Sequence, residues 1–222
     1  MRIKVCGITN SEDARLAAAL GADALGFICY AKSPRYITPE AAREIIAGLP
    51  PFVTPVAVVV DEPEVAELLA YTGCRVAQVH GEIADTPGRD PDKSGQAART
   101  PAYPVIRAVS VATREDLAPL RDPTGACAFL LDAKVKGLHG GTGRTIDWTL
   151  AREAASFGTA IILAGGLNPE NVAEAIRIAN PYAVDLNSGV ETHPGKKDPE
   201  RLRAAFAAIR GSLENSGSRN NP

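Results

Sequence analysis

Apolar residues along the chain gather in short unbroken runs: IKVC at 3–6, ALGFIC at 24–29, PVAVVV at 55–60, VAQVH at 76–80, VIRAV at 105–109, CAFLLD at 127–132, AIILAG at 160–165 and YAVDLN at 182–187. None shows the apolar–polar alternation of a strand with one wet face, so each predicts a strand buried on both sides, as in a parallel sheet. Parallel neighbours need crossovers, usually helical, and the intervening segments have the right signals. NSEDARLAAALG offers Asn10 or Ser11 as cap and Gly21 as stop; TPEAAREIIAGL offers Thr38 as cap with Pro39 in the first turn; DEPEVAELLAYTG offers Asp61 as cap. VATREDLAPL, DWTLAREAASFG, NPENVAEAIRIA and DPERLRAAFAAIRGSL continue the series. Residues 83–104 break the rhythm, because their four prolines leave only a weak helical stretch near 93–99 and predict a loop-rich crossover.

Eight strands alternating with helices predict an α/β fold, a single-domain (β/α)8 barrel over residues 1–213, with the small polar residues 214–222 fraying as a tail. An open doubly wound sheet would fit the alternation, but it would want a dinucleotide fingerprint after the first strand, and CGITNSED is not G-x-G-x-x-G.

Composition narrows the partner. The formal net charge of the 222 residues is -2, without basic blocks or aromatic–basic interleaving, which argues against nucleic acid and anionic membranes and favours a small molecule. No apolar run approaches the roughly 20 residues that span a bilayer, and the chain opens directly on a strand pattern, so a cytoplasmic protein is expected. Cys6, Cys29, Cys74 and Cys127 lie far apart with no C-x-x-C pair, which predicts neither a zinc site nor a disulfide scaffold.

In a barrel of this kind the active site forms at the carboxyl ends of the strands, and the loops after strands seven and eight commonly bind phosphate. Gly165 and Gly166 in LAGGLNPENV, with Ser188 and Gly189 in NSGVE, offer bare backbone amides, a hydroxyl and a helix start for an anion. Cys6 closes strand one and Asp132 strand six, three strands apart, so they face each other across the mouth. A thiolate and a carboxylic acid so placed suit removal of a proton from one carbon and delivery of another to a nearby oxygen. The sharp turn at Gly7 is expected to leave the Cys6 sulfur exposed at the rim, although a lone cysteine there also serves as a small buried hydrophobe. Arg35, after strand two, could meet a carboxylate. His80 ends strand four as a hydrogen-bonding residue, and Asp185 points into the site or into a hydrogen bond inside the barrel. HGGTGRTIDW at 139–148, with Gly140, Gly141 and Gly143, lacks a P-loop lysine and reads as a mobile lid.

KVCGIT, GADALGFICYAKSPRYI, QVHGE, LLDAKVKGLHGGTGRTIDW, ILAGGLNPENV and VDLNSGVETHPGKKD, in this order, resemble the phosphoribosylanthranilate isomerase family from the first strand to the last helix. The resemblance implies an Amadori rearrangement of N-(5'-phosphoribosyl)anthranilate, a phosphosugar substrate, with no metal and no cofactor. It implies Cys6 as general base, Asp132 as general acid, and Arg35 on the anthranilate side. His80 and Asp185 are expected as further substrate contacts, and Gly165, Gly166, Ser188 and Gly189 resemble the family's phosphate grip. Asp132 would then hold a proton near neutral pH, and Cys6 would become thiolate at least transiently. A monomer or a homodimer is expected. Two departures stand out: the proline-rich 83–104 crossover, and Asn187 where a second serine is common. The alternatives are an aminoaldose-phosphate isomerase of histidine biosynthesis, which uses a carboxylate where Cys6 stands, and a barrel that only binds a phosphosugar.

Overall fold

In the computed structural model, residues 1–81, 103–123, 125–133 and 145–217 are described, with side chains to residue 214. The lid glycines Gly140, Gly141 and Gly143, and nearly all of the proline-rich crossover, lie outside them. Eight parallel strands close in chain order: β1 (Arg2–Val5), β2 (Ala24–Ile28), β3 (Thr54–Val60), β4 (Val76–His80), β5 (Val105–Val111), β6 (Ala128–Ala133), β7 (Ile161–Leu163) and β8 (Ala183–Leu186), with β8 pairing back to β1. Each predicted strand is present, and the chain is a (β/α)8 barrel. Unbroken apolarity follows from this closure. One set of alternate residues packs outward under the helices, the other fills the lumen, and both are largely removed from water.

The caps work largely as read. Asn10 accepts from the Asp13 N–H at 2.9 Å at the start of α1 (Ser11–Leu20), and Gly21 ends that helix with φ 97°. Thr38 caps α2 (Pro39–Ala47), whose first residue is proline. Two crossovers differ. Helix α3 (Val65–Thr72) starts after Glu64, and Asp61 instead takes φ 47° in the turn. The cause is Pro63, which disfavours helical geometry at the residue before it and delays nucleation. Residues Arg114–Arg121 wind as a 3-10 helix with a Thr113–Asp116 capping box, since Pro119 removes an N–H from any α-helical ladder.

Helices α4 (Trp148–Ala155), α5 (Val172–Ala179) and α6 (Pro199–Gly217) continue the outer layer in chain order. Helix α6 therefore carries through residues 214–217 of the predicted tail. Between β8 and α6 the chain makes a 3-10 turn (Ser188–Val190) and a small antiparallel hairpin, β9 (Glu191–His193) with β10 (Lys196–Lys197), turned at Pro194–Gly195. The sequence reading missed this hairpin, although a Pro-Gly pair between short polar runs is a turn signal.

Candidate active site at the carboxyl mouth of the barrel

On β4, β6 and β8 the inward set runs from apolar at the bottom to polar at the top. On β6 it is Ala128, Leu130 and Asp132; on β4 it is Val76, Gln78 and His80; on β8 it is Ala183 and Asp185, followed by Asn187. Their upper members open onto one cavity of about 390 Å³, within the range of small-ligand pockets. Cys6 and Asp132 both line it, as do Arg35, His80, Asp185, Gly165, Gly166 and Ser188.

Cys6 follows β1 directly and still donates its N–H to Leu186 O, at 2.8 Å. Contrary to expectation the residue is buried, 4% exposed, and lines the cavity from below its rim. The turn at Gly7, φ 72°, serves a different purpose from exposing sulfur. A Cβ there would meet Asn187 Oδ1 at 2.7 Å and the Arg35 side chain at 2.9 Å, so the bare backbone lets both approach the site. Burial pushes the Cys6 thiol up, against a downward pull from Lys4. Asp132 is also buried, with Oδ1 accepting from the Ala133 N–H at 2.8 Å.

Arg35 finds a carboxylate within the protein. Its Nε and Nη2 donate to Glu191, with contacts at 2.8–3.1 Å, leaving Nη1 as the one guanidinium nitrogen not given to that residue. Glu191 accepts from Lys197 Nζ as well, at 2.8 Å. It is buried, and Arg35 and Lys197 together outweigh that burial and hold its carboxyl below the ordinary range. Lys197 in turn reaches Asn187 Oδ1 at 3.2 Å, and its backbone N–H is fixed by Asp13 of α1 at 2.8 Å. The hairpin thus carries a buried ionic knot to the cavity wall.

Asp185 does both things foreseen for it: it faces the cavity, and its Oδ2 accepts from Lys4 Nζ at 2.7 Å. Its Oδ1, like Gln78 Oε1, is a buried acceptor with no hydrogen-bond partner among the described residues. Two such orphans in one cavity wall point to donors on a ligand. Gln78 Nε2 pairs with His80 Nε2 at 2.9 Å.

Opposite, Gly165 and Gly166 adopt φ 82° and 61° beside Ser188. The helix start foreseen there stands back, for α5 begins only at Val172, after a turn in which Asn171 Nδ2 donates to Gly166 O at 3.0 Å. Gly189 is not on the cavity wall. A Cβ on it would lie 2.0 Å from Leu167 O, so its bareness lets the loops after β7 and β8 touch.

Lys4, Gly26, Gln78, Glu191 and Lys197 were missed by the sequence reading. For Lys4 a signal existed in its strand-like apolar surroundings, where a charge is costly unless paired. No group of three or more His, Cys, Asp or Glu suited to a metal occurs among the described residues, and no helix there is long and apolar enough to cross a membrane.

Comparison with known proteins agrees with this picture. The family model for N-(5'-phosphoribosyl)anthranilate (PRA) isomerase matches residues 3–208. The N-(5'-phosphoribosyl)anthranilate isomerase of Syntrophus aciditrophicus is 49% identical over 94% of this chain and 86% of its own. The crystal structure of phosphoribosyl anthranilate isomerase from Thermotoga maritima superposes with a TM-score of 0.81 at 38% identity, over 95% of this chain and 99% of that one. Another phosphoribosyl anthranilate isomerase structure, in complex with reduced 1-(o-carboxyphenylamino)-1-deoxyribulose 5-phosphate, aligns with a TM-score of 0.78 at 37% identity over the same shares.

Proposed function

Since the chain belongs to the N-(5'-phosphoribosyl)anthranilate isomerase family, we propose that the cavity is its active site, with Cys6 as general base and Asp132 as general acid. The enzyme isomerises N-(5'-phosphoribosyl)anthranilate to 1-(2-carboxyphenylamino)-1-deoxyribulose 5-phosphate in tryptophan biosynthesis. The observation that carries the assignment of roles is that Cys6 and Asp132, from strands on opposite sides of the barrel, line one cavity.

The carboxyl of Asp132 gives its proton to the furanose ring oxygen. The bond from C1 to that oxygen breaks, and the anthranilate nitrogen lone pair completes an iminium at C1. The Cys6 thiolate then takes the proton from C2, whose electron pair moves to form the enamine, and tautomerisation yields the ketone. C2 is oxidised as C1 is reduced, so the electrons balance within the substrate and no external acceptor is required. Both groups are largely buried, Cys6 4% and Asp132 8% exposed, and a fixed donor or acceptor in such a place counts for more than it does in solution.

Binding follows from the remaining wall. The amides at Gly165 and Gly166 with the Ser188 hydroxyl suit the phosphate. Arg35 Nη1 suits the anthranilate carboxylate, its other nitrogens being anchored on Glu191. Asp185 Oδ1 and Gln78 Oε1 suit ribose hydroxyls or the aniline N–H, and His80 braces Gln78. A monomer or a homodimer in the cytoplasm can carry this chemistry equally, since every group named comes from one chain.

The test is fluorescence-monitored turnover of freshly generated substrate by the wild type beside Cys6→Ser and Asp132→Asn. Each variant is expected to lose roughly 10²-fold or more in kcat if it performs its proton transfer. Near-wild-type turnover by a folded variant removes that residue from the mechanism.

A further inference from the structure

Two charges lie beneath Cys6 that the proton transfers above do not use. Lys4 and Cys6 are alternate residues along the first strand and its extension, so both side chains take the barrel-facing side. Lys4 is the register partner of Asp185 on β8, and the two form an ion pair of 2.7 Å whose side chains are 4% and 6% exposed. A Cβ built at Gly26 on β2 would lie 2.7 Å from Cys6 Sγ and 3.2 Å from Lys4 Nζ. Sulfur and ammonium therefore converge on the same bare strip of the neighbouring strand.

A thiol at this depth resists ionisation because a buried thiolate has lost its water. Among the other charged groups nearby only Lys197 also favours a thiolate, and less strongly than Lys4. Asp185, from β8, opposes a thiolate. Lys197, from β10, is committed to Glu191 and Asn187. Arg35, from the loop after β2, is committed to Glu191 too. His80 on β4 and Asp132 on β6 belong to the facing wall of the cavity. Lys4 is the cation that bears most strongly on the sulfur. Asp185 and Cys6 keep Lys4 above the ordinary lysine value although burial pulls it down.

We propose that Lys4 is a positioning residue of the isomerase reaction: its ammonium, anchored by Asp185, compensates the negative charge that Cys6 must carry in order to take the C2 proton. The division of labour is then complete within the barrel. Asp185 holds Lys4 with Oδ2, and Oδ1 stays available to the substrate. Gly26 leaves room for ammonium and sulfur to approach each other. This inference rests on Cys6 being the base, and its test is built to fail separately from that reading.

Alkylation of Cys6 by iodoacetamide is followed across pH, peptide by peptide, by mass spectrometry in the wild type, Lys4→Met and Lys4→Arg, beside the pH profile of kcat/KM. Lys4→Met is expected to move the midpoint of Cys6 alkylation upward by about one pH unit or more, and the acidic limb of kcat/KM with it, whereas Lys4→Arg stays near the wild type. If Lys4→Met does not fold, Lys4→Gln is read in its place, because its amide can still donate to Asp185 while carrying no charge. An unmoved midpoint in the folded protein overturns the proposal while leaving Cys6 as base. A moved midpoint together with full turnover by Cys6→Ser overturns it because the base has been misidentified.

Discussion

Two parts of the barrel lumen are built on opposite principles. Around β3 and from β5 to β8 its floor is apolar: Val56, Ile106, Ala128, Leu130, Ile162, Ala164 and Ala183 form a cluster of their own. Where β8 meets β1, the same inward positions carry Lys4 and Asp185, with Cys6 above them and the Arg35–Glu191–Lys197 knot beside them. The first part tolerates nothing but shape, for it is held by contact and by water excluded. The second holds charges that would each be expensive in such a place if alone. The barrel can contain both because its strands take most inward positions out of water, and the residue chosen decides whether such a position stabilises or reacts.

The most severe way to break this contrast is Glu191→Gln, which leaves Arg35 and Lys197 in the interior without their shared carboxylate. Removing one member of a buried ion pair is expected to cost about 3–5 kcal/mol, read from urea unfolding, with KM for the substrate rising as Arg35 loosens. A loss below about 1 kcal/mol would place the knot among the weak surface pairs. The effect has a sign in pH. Glu191 titrates below its ordinary value of 4.5, so its contribution is complete above that pH and is lost as pH falls through the lowered value. The stability gap between wild type and Glu191→Gln should therefore be constant near neutrality and close in acid; a gap that widens in acid contradicts the assignment.

Next in size is the separation of chemistry from stability at the top of the lumen. Cys6→Ser removes a nucleophilic atom but little volume, so its roughly 10²-fold loss of kcat, about 2.7 kcal/mol of barrier, should come without a matching fall in melting temperature. A parallel loss of both would mean that Cys6 belongs to the packing rather than to the reaction.

The smallest effect belongs to the apolar part. Ile162→Val, away from the cavity wall, should cost about 0.5–1.5 kcal/mol with turnover kept. A large loss of activity there would show that the floor transmits strain to the site, and the two halves would no longer be independent.

Legibility in the sequence divides along the same line. The eight strands could be read because a strand wetted on neither face must be apolar throughout, and most caps because Asn10, Thr38 and Gly21 announce themselves locally. Asp61 misled because the influence of Pro63 on the helix start outweighs a good capping residue. Cys6 and Asp132 were legible as candidates because strand ends in a barrel are where function collects. That sulfur would be buried was not, since its cover comes from Gly26 and from loops far along the chain.

What the sequence determined by itself is therefore the repeating architecture and, through its motifs, the family. Both rest on periodicity and local order, which operate over a few residues. What only the tertiary structure decided is the electrostatics of the site: that Lys4 pairs with Asp185, that Arg35 leans on Glu191, and that a hairpin after β8 delivers Lys197 to the same wall. These partners stand up to 181 positions apart. Burial and closure of the barrel bring them together, and a charge shows its partner only once the chain has placed both where water cannot reach.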